Sequence, residues 1–243
     1  MGILIDKILF WRKKKNTIPV DFSAELVQII SAVKPFTMTS AERLFAFHES
    51  VKYISTNKLS GAIVECGVWK GGSMMAALST LKNLNDISRE AYLYDTFEGM
   101  SEPDANDKAV NGESADTLLK KGDKSQSDSV WCVAGLDEVK KNVSQINYPA
   151  DKIHYVVGKV EDTLLHTVPD QIAILRLDTD WYQSTKMEME VLFPKLVKGG
   201  VLIIDDYGHW QGSRKAVDEY IAANNIKILL NRIDYTGRIG IKQ

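Results

Sequence analysis

Residues 61–84 read GAIVECGVWKGGSMMAALSTLKNL. The first seven are a short apolar run closed by glycine, which is strand length rather than helix length. From Gly71 onward the apolar residues return at helical spacing, so a strand passes through the turn Gly67 to Ser73 straight into a helix. A glycine turn at such a junction lets a ligand approach the free backbone amides of the helix start. The turn lacks the full dinucleotide fingerprint and the chain has no GK[ST] phosphate loop, which disfavours NAD and ATP.

Outward from this unit the same alternation continues. Strand patterns fall at AYLYDT (91–96), KIHYVVG (152–158), QIAILRLD (171–178) and GGVLIIDD (199–206), with helical patterns at 136–143, 184–197 and 214–225. Short apolar strands alternating with amphipathic helices predict an α/β fold with a mainly parallel sheet covered on both faces. The last two strand patterns, KILLNRI (227–233) and RIGIKQ (238–243), have only the turn DYTG (234–237) between them. They predict a hairpin that adds an antiparallel edge strand. Upstream, 21–33 and 40–56 read as N-terminal helices, the second capped by Thr39 or Ser40, within a single domain spanning 21–243.

Two segments break the pattern. Residues 98–129 are rich in Asp, Ser, Lys and Gly with one proline, and are expected to form a mobile lid. Residues 1–20 form a leader in which Ile3, Leu4, Ile8, Leu9, Phe10 and Trp11 adjoin Arg12, Lys13, Lys14 and Lys15. It reads as a helix docked on its own domain or on a second subunit; a surface membrane anchor is the weaker alternative, since one short helix holds a bilayer only reversibly.

Composition bounds the function. The 243 residues are 44% apolar and 26% charged with a formal net charge of −2, the usage of an ordinary soluble globular protein with no basic field for nucleic acid. Two isolated cysteines, Cys66 and Cys132, suggest neither a disulfide framework nor a thiolate metal site, and a reducing cytoplasm is expected. No apolar stretch has the length of a membrane span, so no stable membrane insertion is expected.

Ligands of open α/β sheets bind at the carboxyl ends of strands. The first strand ends in Glu65-Cys66-Gly67 and its turn, the second in Asp95-Thr96-Phe97, an acid placed to accept hydrogen bonds from a ribose. Equally, the glycines serve the turn and Asp95 caps a helix. Two later strands end in Asp178-Thr179-Asp180 and Asp205-Asp206. Four carboxylates crowded at two buried strand ends call for a hard divalent cation such as Mg²⁺, although single acids there are commonly helix caps. His209 is either a general base or a residue that orients substrate, the second being favoured. Trp181, Tyr182 and Trp210 wall an acceptor pocket or simply pack. Glu161 and Asp162 either read an adenine amino group or serve a helix N-terminus.

The strings TSAERLFAFHESVKYI, GAIVECGVWKGGSMMAA, YLYDTFEGM, RLDTDWYQSTKMEME, GGVLIIDDYGHWQGSRKAVDEY and LLNRIDYTGRIG resemble the macrocin O-methyltransferase family, the TylF type, from about Thr37 to Lys242. The DTDWY and DDYGHW strings are the most specific. The resemblance implies a class I methyltransferase, Rossmann-like fold of seven strands, with S-adenosylmethionine over Glu65 to Ser73 and Asp95 on its ribose. The cofactor set is then Thr39, Glu65, Cys66, Gly67, Gly71, Ser73, Asp95, Thr96, Phe97, Glu161, Asp162 and Asp178. It also implies Mg²⁺ on Asp178, Asp205 and Asp206, Asp178 as catalytic base with His209 beside it, a sugar or glycoside hydroxyl as acceptor, and a homo-oligomer. The competing enzyme reading is a metal-dependent glycosyltransferase using the DxD spacing of 178–180; a scaffolding subunit leaves the strand-end acids unexplained.

Overall fold

A computed structural model describes residues 18–126 and 129–243, so the leader falls outside the described residues up to residue 17. Seven strands form one sheet in the order β3-β2-β1-β4-β5-β7-β6. They are β1 (Ala62–Cys66), β2 (Ala91–Asp95), β3 (Ile153–Val157), β4 (Ile172–Leu177), β5 (Leu196–Ile204), β6 (Asn231–Arg232) and β7 (Arg238–Ile241). The first five run parallel and β7 is antiparallel to both β5 and β6, as the missing crossover helix requires.

The helices are α1 (Ala24–Val33), α2 (Ala41–Thr56), α3 (Gly72–Asn83), α4 (Ala115–Lys121), α5 (Leu136–Ser144), α6 (Val160–Thr163), α7 (Tyr182–Val191) and α8 (Gln211–Ala223). Leu26, Ile29, Ile30 and Val33 of α1 and Leu44, Phe47, Val51 and Ile54 of α2 recur at three and four spacing and are buried. Ser23 and Ser40 cap these helices by accepting from the amides of Leu26 and Arg43. Among the described residues no helix is long and apolar enough to cross a membrane.

Strand alternation divides the core. Ile63, Leu93, Ile174 and Ile203 face α1, α2, α3 and α5, whereas Val64, Cys66, Leu175, Leu177, Leu202 and Ile204 face α6, α7 and α8. On the first face the next alternate positions toward the carboxyl ends are Glu65, Asp95, Arg176 and Asp205. One layer of the core is thus apolar up to its last turn and charged there.

Three details differ from the sequence pattern. The polar segment contains a helix, α4, rather than loop alone. Helix α7 stops at Val191, because Pro194 can donate no helical hydrogen bond, and β5 begins at Leu196, before the glycine pair. The edge strand β6 keeps only two residues, so β7 and not β6 lies against β5.

Candidate functional site

The chain moves outward from β1 to β2 and β3, then returns to the other side of β1 to lay down β4 and β5. The crevice between β1 and β4 is therefore the topological switch point where open α/β sheets take ligands. Register sets what meets there. Cys66 lies beside both Tyr94 and Leu177, and Leu177 lies beside Ile204, so Gly67, Asp95, Asp178 and Asp205 follow at one level on four adjacent strands. A cavity of about 330 Å³ opens at that level.

One end of the cavity is the turn after β1. Gly67, Gly71 and Trp69 have φ of 82°, 90° and 46°, the left-handed region that glycine adopts without cost and Trp69 does not. Helix α3 starts so close to the backbone of Phe36 that no Cβ fits on Gly72. Asp95 holds the turn in shape. Its Oδ2 accepts from the amides of Val68 at 2.6 Å and Trp69 at 3.1 Å, and its Oδ1 accepts from Phe97 at 2.7 Å. The carboxylate placed by sequence on a ribose is thus already engaged by three amides and organises the loop.

The other end is acidic. Asp178, Asp180 and Asp206 each bring a carboxylate oxygen within 4.8 Å of the others. Asp180 has φ 68°, a left-handed conformation that turns the chain sharply between β4 and α7. Burial, resisted by Arg176 and compounded by Asp205 and Asp206, raises the Asp178 carboxyl far above the usual range. Burial and then Asp180 and Asp205 do the same for Asp206, and burial pushes Asp180 up to about 7. Asp206 Oδ2 is buried and finds no hydrogen-bond partner among the described residues.

Asp205 stands apart from that trio. Its Oδ2 pairs with Arg43 Nη1, and its Oδ1 lies 2.8 Å from Arg176 Nη2. Arg176, 1% exposed in the middle strand, also meets Glu65 Oε1 at 2.5 Å and Asp178 Oδ2 at 2.8 Å. It donates to Thr39 Oγ1 at 3.1 Å and Ser73 Oγ at 3.3 Å. Arg43, on α2, is tied to the β6–β7 turn through Asp234 at 3.1 Å. Both arginines escaped the sequence reading. The signal for Arg176 was a charged residue inside the apolar run AILRL; Arg43 carried none.

Of the expected site residues, Thr39, Gly67, Ser73, Asp95, Thr96, Glu161, Asp178, Asp205, Asp206 and His209 line the cavity. Glu65, Cys66, Gly71, Phe97 and Asp162 do not. Glu65 is buried behind the wall with Ser73 and Arg176, Phe97 sits in the core on the α3 side, and Cys66 faces the opposite layer. Asp162 lies in the first turn of α6.

The roof comes from the polar segment. Asp107, buried in it, accepts from the amides of Asp104 and Tyr182, each at 2.7 Å, and so caps α7 from the roof. Trp181 Nε1 donates to the Ser101 carbonyl at 3.0 Å, and Trp181 meets Trp210 edge to face. These two tryptophans pack with Ala109, Ala115 and Leu119 in a small core of their own. Tyr182 does not line the cavity; its hydroxyl donates to Glu219. At the mouth, His209 Nδ1 and Tyr235 Oη are 2.8 Å apart, and burial lowers the His209 pKa.

A seven-stranded sheet with this order, a glycine turn after β1 and a carboxylate cluster after β4 and β5 define a class I O-methyltransferase. The chain belongs to the family described as macrocin O-methyltransferase (TylF), whose model matches residues 31–239. It is 32% identical over 201 residues to the 8-demethyl-8-(2,3-dimethoxy-alpha-L-rhamnosyl)-tetracenomycin-C 4'-O-methyltransferase of Streptomyces olivaceus, covering 83% of this chain and 73% of that one. Demethyldecarbamoylnovobiocin O-methyltransferase of Streptomyces niveus is 31% identical over the same shares. The solved O-methyltransferase NovP superposes with a TM-score of 0.75 at 27% identity, over 86% of this chain and 82% of that one. The glycosyltransferase alternative is thereby set aside.

Proposed function

We propose that this enzyme transfers the methyl group of S-adenosylmethionine to a hydroxyl of a sugar or glycosylated small molecule, with a divalent cation, Mg²⁺ foremost, at the acid cluster. The observation that carries the reading is the meeting, in one cavity, of the turn after β1 with the trio Asp178, Asp180 and Asp206. Both named Streptomyces relatives are O-methyltransferases by their descriptions, and that of Streptomyces olivaceus names a rhamnosyl compound, which supports the acceptor class.

The residues fit a cation. Around Arg43 and Arg176 stand Glu65, Asp178, Asp205 and Asp206, with Asp180 beside them, so acids outnumber bases. The donor set is all oxygen, which suits Mg²⁺, and Asp206 keeps an unpartnered buried oxygen. Asp178 and Asp206 would hold the ion, with Asp180 in reach and Asp205 balancing the arginines. An ion there would supply Lewis acidity that lowers the pKa of a bound hydroxyl.

The chain's own residues do the rest. The first amides of α3 precede its first helical bond, from Met75 to Gly71, and of these residues Ser73 lines the cavity end where the cofactor would lie. The sulfonium is an activated methyl donor, so alignment and exclusion of water are the protein's main tasks. Asp178 was the expected proton acceptor, yet Arg176 lies 2.8 Å from it and stabilises its ionised form. Asp180 makes no ion pair among the described residues, and burial pushes its carboxyl up to about 7, the range suited to a general base, so it takes the proton. His209 and Tyr235 orient the acceptor at the mouth, and the roof anchored by Asp107 shields the reacting atoms.

A thermal-shift panel with S-adenosylmethionine, UDP and NAD, each with Mg²⁺ or with chelator, tests the reading. Stabilisation by S-adenosylmethionine alone among the three nucleotides is expected, and methyl transfer to a glycoside is expected to need the metal. Stabilisation by UDP in its place, or full turnover in chelator, overturns it.

A further inference from the structure

The buried cation Arg176 has no part in the transfer itself, and its contacts are distributed in a telling way. It reaches Ser73, in the first turn of α3, and Thr39, just before α2, both of which line the cavity. Toward the acids it reaches Asp178 and Asp205. Glu65, in register with it on β1 and paired at 2.5 Å, stands behind the fork. One planar guanidinium therefore ties residues at both ends of the cavity, and its five donors have a fixed mutual geometry. Nη1 serves both Ser73 and Asp178, and Nη2 both Thr39 and Asp205, so each arm of the fork joins one residue of each set.

We propose that Arg176 is a positioning residue that couples the two ligand sites, so that filling the cofactor end orders Asp178, a carboxylate that would hold the cation, and filling the cation end orders the cofactor wall. The inference rests on the function proposed above. Ordering Thr39 and Ser73 fixes the fork, and the fixed fork holds Asp178 and Asp205 in one orientation. A cation held by Asp178 would fix that carboxylate, and the fixed carboxylate holds the fork against Ser73 and Thr39. Thermodynamic linkage makes the two effects equal: each ligand tightens the other by the same factor, about tenfold for couplings of ordinary size.

S-adenosylhomocysteine is the probe of choice, because its neutral thioether removes direct repulsion between a sulfonium and a metal. Calorimetry on the full chain measures its affinity with Mg²⁺ and with chelator, and paramagnetic titration measures Mn²⁺ affinity with and without it. In the wild type both affinities are expected to rise about tenfold in the other ligand's presence. Arg176→Lys keeps the charge and loses the fork, and is expected to bind both ligands with the mutual factor reduced to near one. Should that variant not fold, Thr39→Val removes a single acceptor of the fork in nearly the same volume and is expected to shrink the factor several-fold.

A purely structural Arg176 would lower affinities equally in both conditions and leave their ratio intact, which overturns the proposal. So does independent binding of the two ligands by the wild type. Failure of S-adenosylhomocysteine to bind under any condition instead overturns the proposed function, and this inference with it.

Discussion

The amide of Asp178 donates to the carbonyl of Cys66 over 2.8 Å, which carries the ladder between β4 and β1 one residue past the last paired strand position. That bond brings the acid cluster against the glycine turn. The fit leaves no room on the turn side, since a Cβ on Gly67 would overlap the Asp178 carbonyl. Gly67→Ala adds that collision to a φ of 82°, and is expected to destabilise the protein by about 2–4 kcal/mol. Denaturant unfolding checks it; a loss under 1 kcal/mol would mean that the two loops slide apart freely.

Crowded acids make the metal-free protein sensitive to pH in an uncommon direction. Asp178, Asp180 and Asp206 have folded pKa values raised above the unfolded carboxylate value, Asp180 to about 7. The folded state therefore binds more protons than the unfolded state between about pH 4 and 7. Stability from these groups is complete below the unfolded pKa and is lost as pH rises through the folded one. In chelator, the melting temperature is expected to fall between pH 5.5 and about 8. Mg²⁺ is expected to flatten that slope, and equal slopes with and without metal would contradict the cluster's role.

Removing one charge separates stability from function. Asp206→Asn relieves repulsion from Asp180 and Asp205, so the metal-free variant is expected to melt higher than the wild type at pH 8 by a few degrees. The same variant is expected to lose the Mg²⁺-induced shift and methyl transfer. A variant that melts lower yet still responds to Mg²⁺ would remove Asp206 from the ligand set.

The two aspartates of the DTD string are expected to fail differently. Asp180→Asn is expected to cut turnover by about a thousandfold with the Mg²⁺ response retained in part, as loss of a general base does. Asp178→Asn is expected to lose turnover and the Mg²⁺ response together while still binding S-adenosylmethionine by calorimetry. Reversal of the two patterns would return the base to Asp178.

Asp107, itself buried, holds the roof by two hydrogen bonds from the amides of Asp104 and Tyr182. Asp107→Ala leaves both amides unpaired at a cost of about 1–3 kcal/mol each. Limited proteolysis within residues 98–126 is expected to accelerate at least tenfold, and the acceptor KM to rise more than kcat falls. Unchanged cleavage would show that the roof stands on the Trp181 and Trp210 core alone.

Much of this enzyme is written locally. The strand-to-helix unit at 61–84 declares itself through a change of period and a glycine turn, because both are properties of adjacent residues. So do the helices before it, the strand-end acids and the DYTG hairpin. The extent of β6 was not local: Lys227 to Leu230 read as strand, yet only Asn231 and Arg232 pair with β7. Partner choice within the acid group was not local either. Asp178, Asp205 and Asp206 look alike along the chain, and it is Arg43 from α2 and Arg176 from β4 that draw Asp205 away and leave Asp180 in the trio. The part Asp95 plays in the turn was not local either, since two of the three amides that donate to its oxygens come from the loop after β1. Sequence determined which strands end in charge, because alternation and length are short-range. Only the tertiary structure decided which charges face each other, because hydrogen-bonding register and the packing of distant helices set those distances.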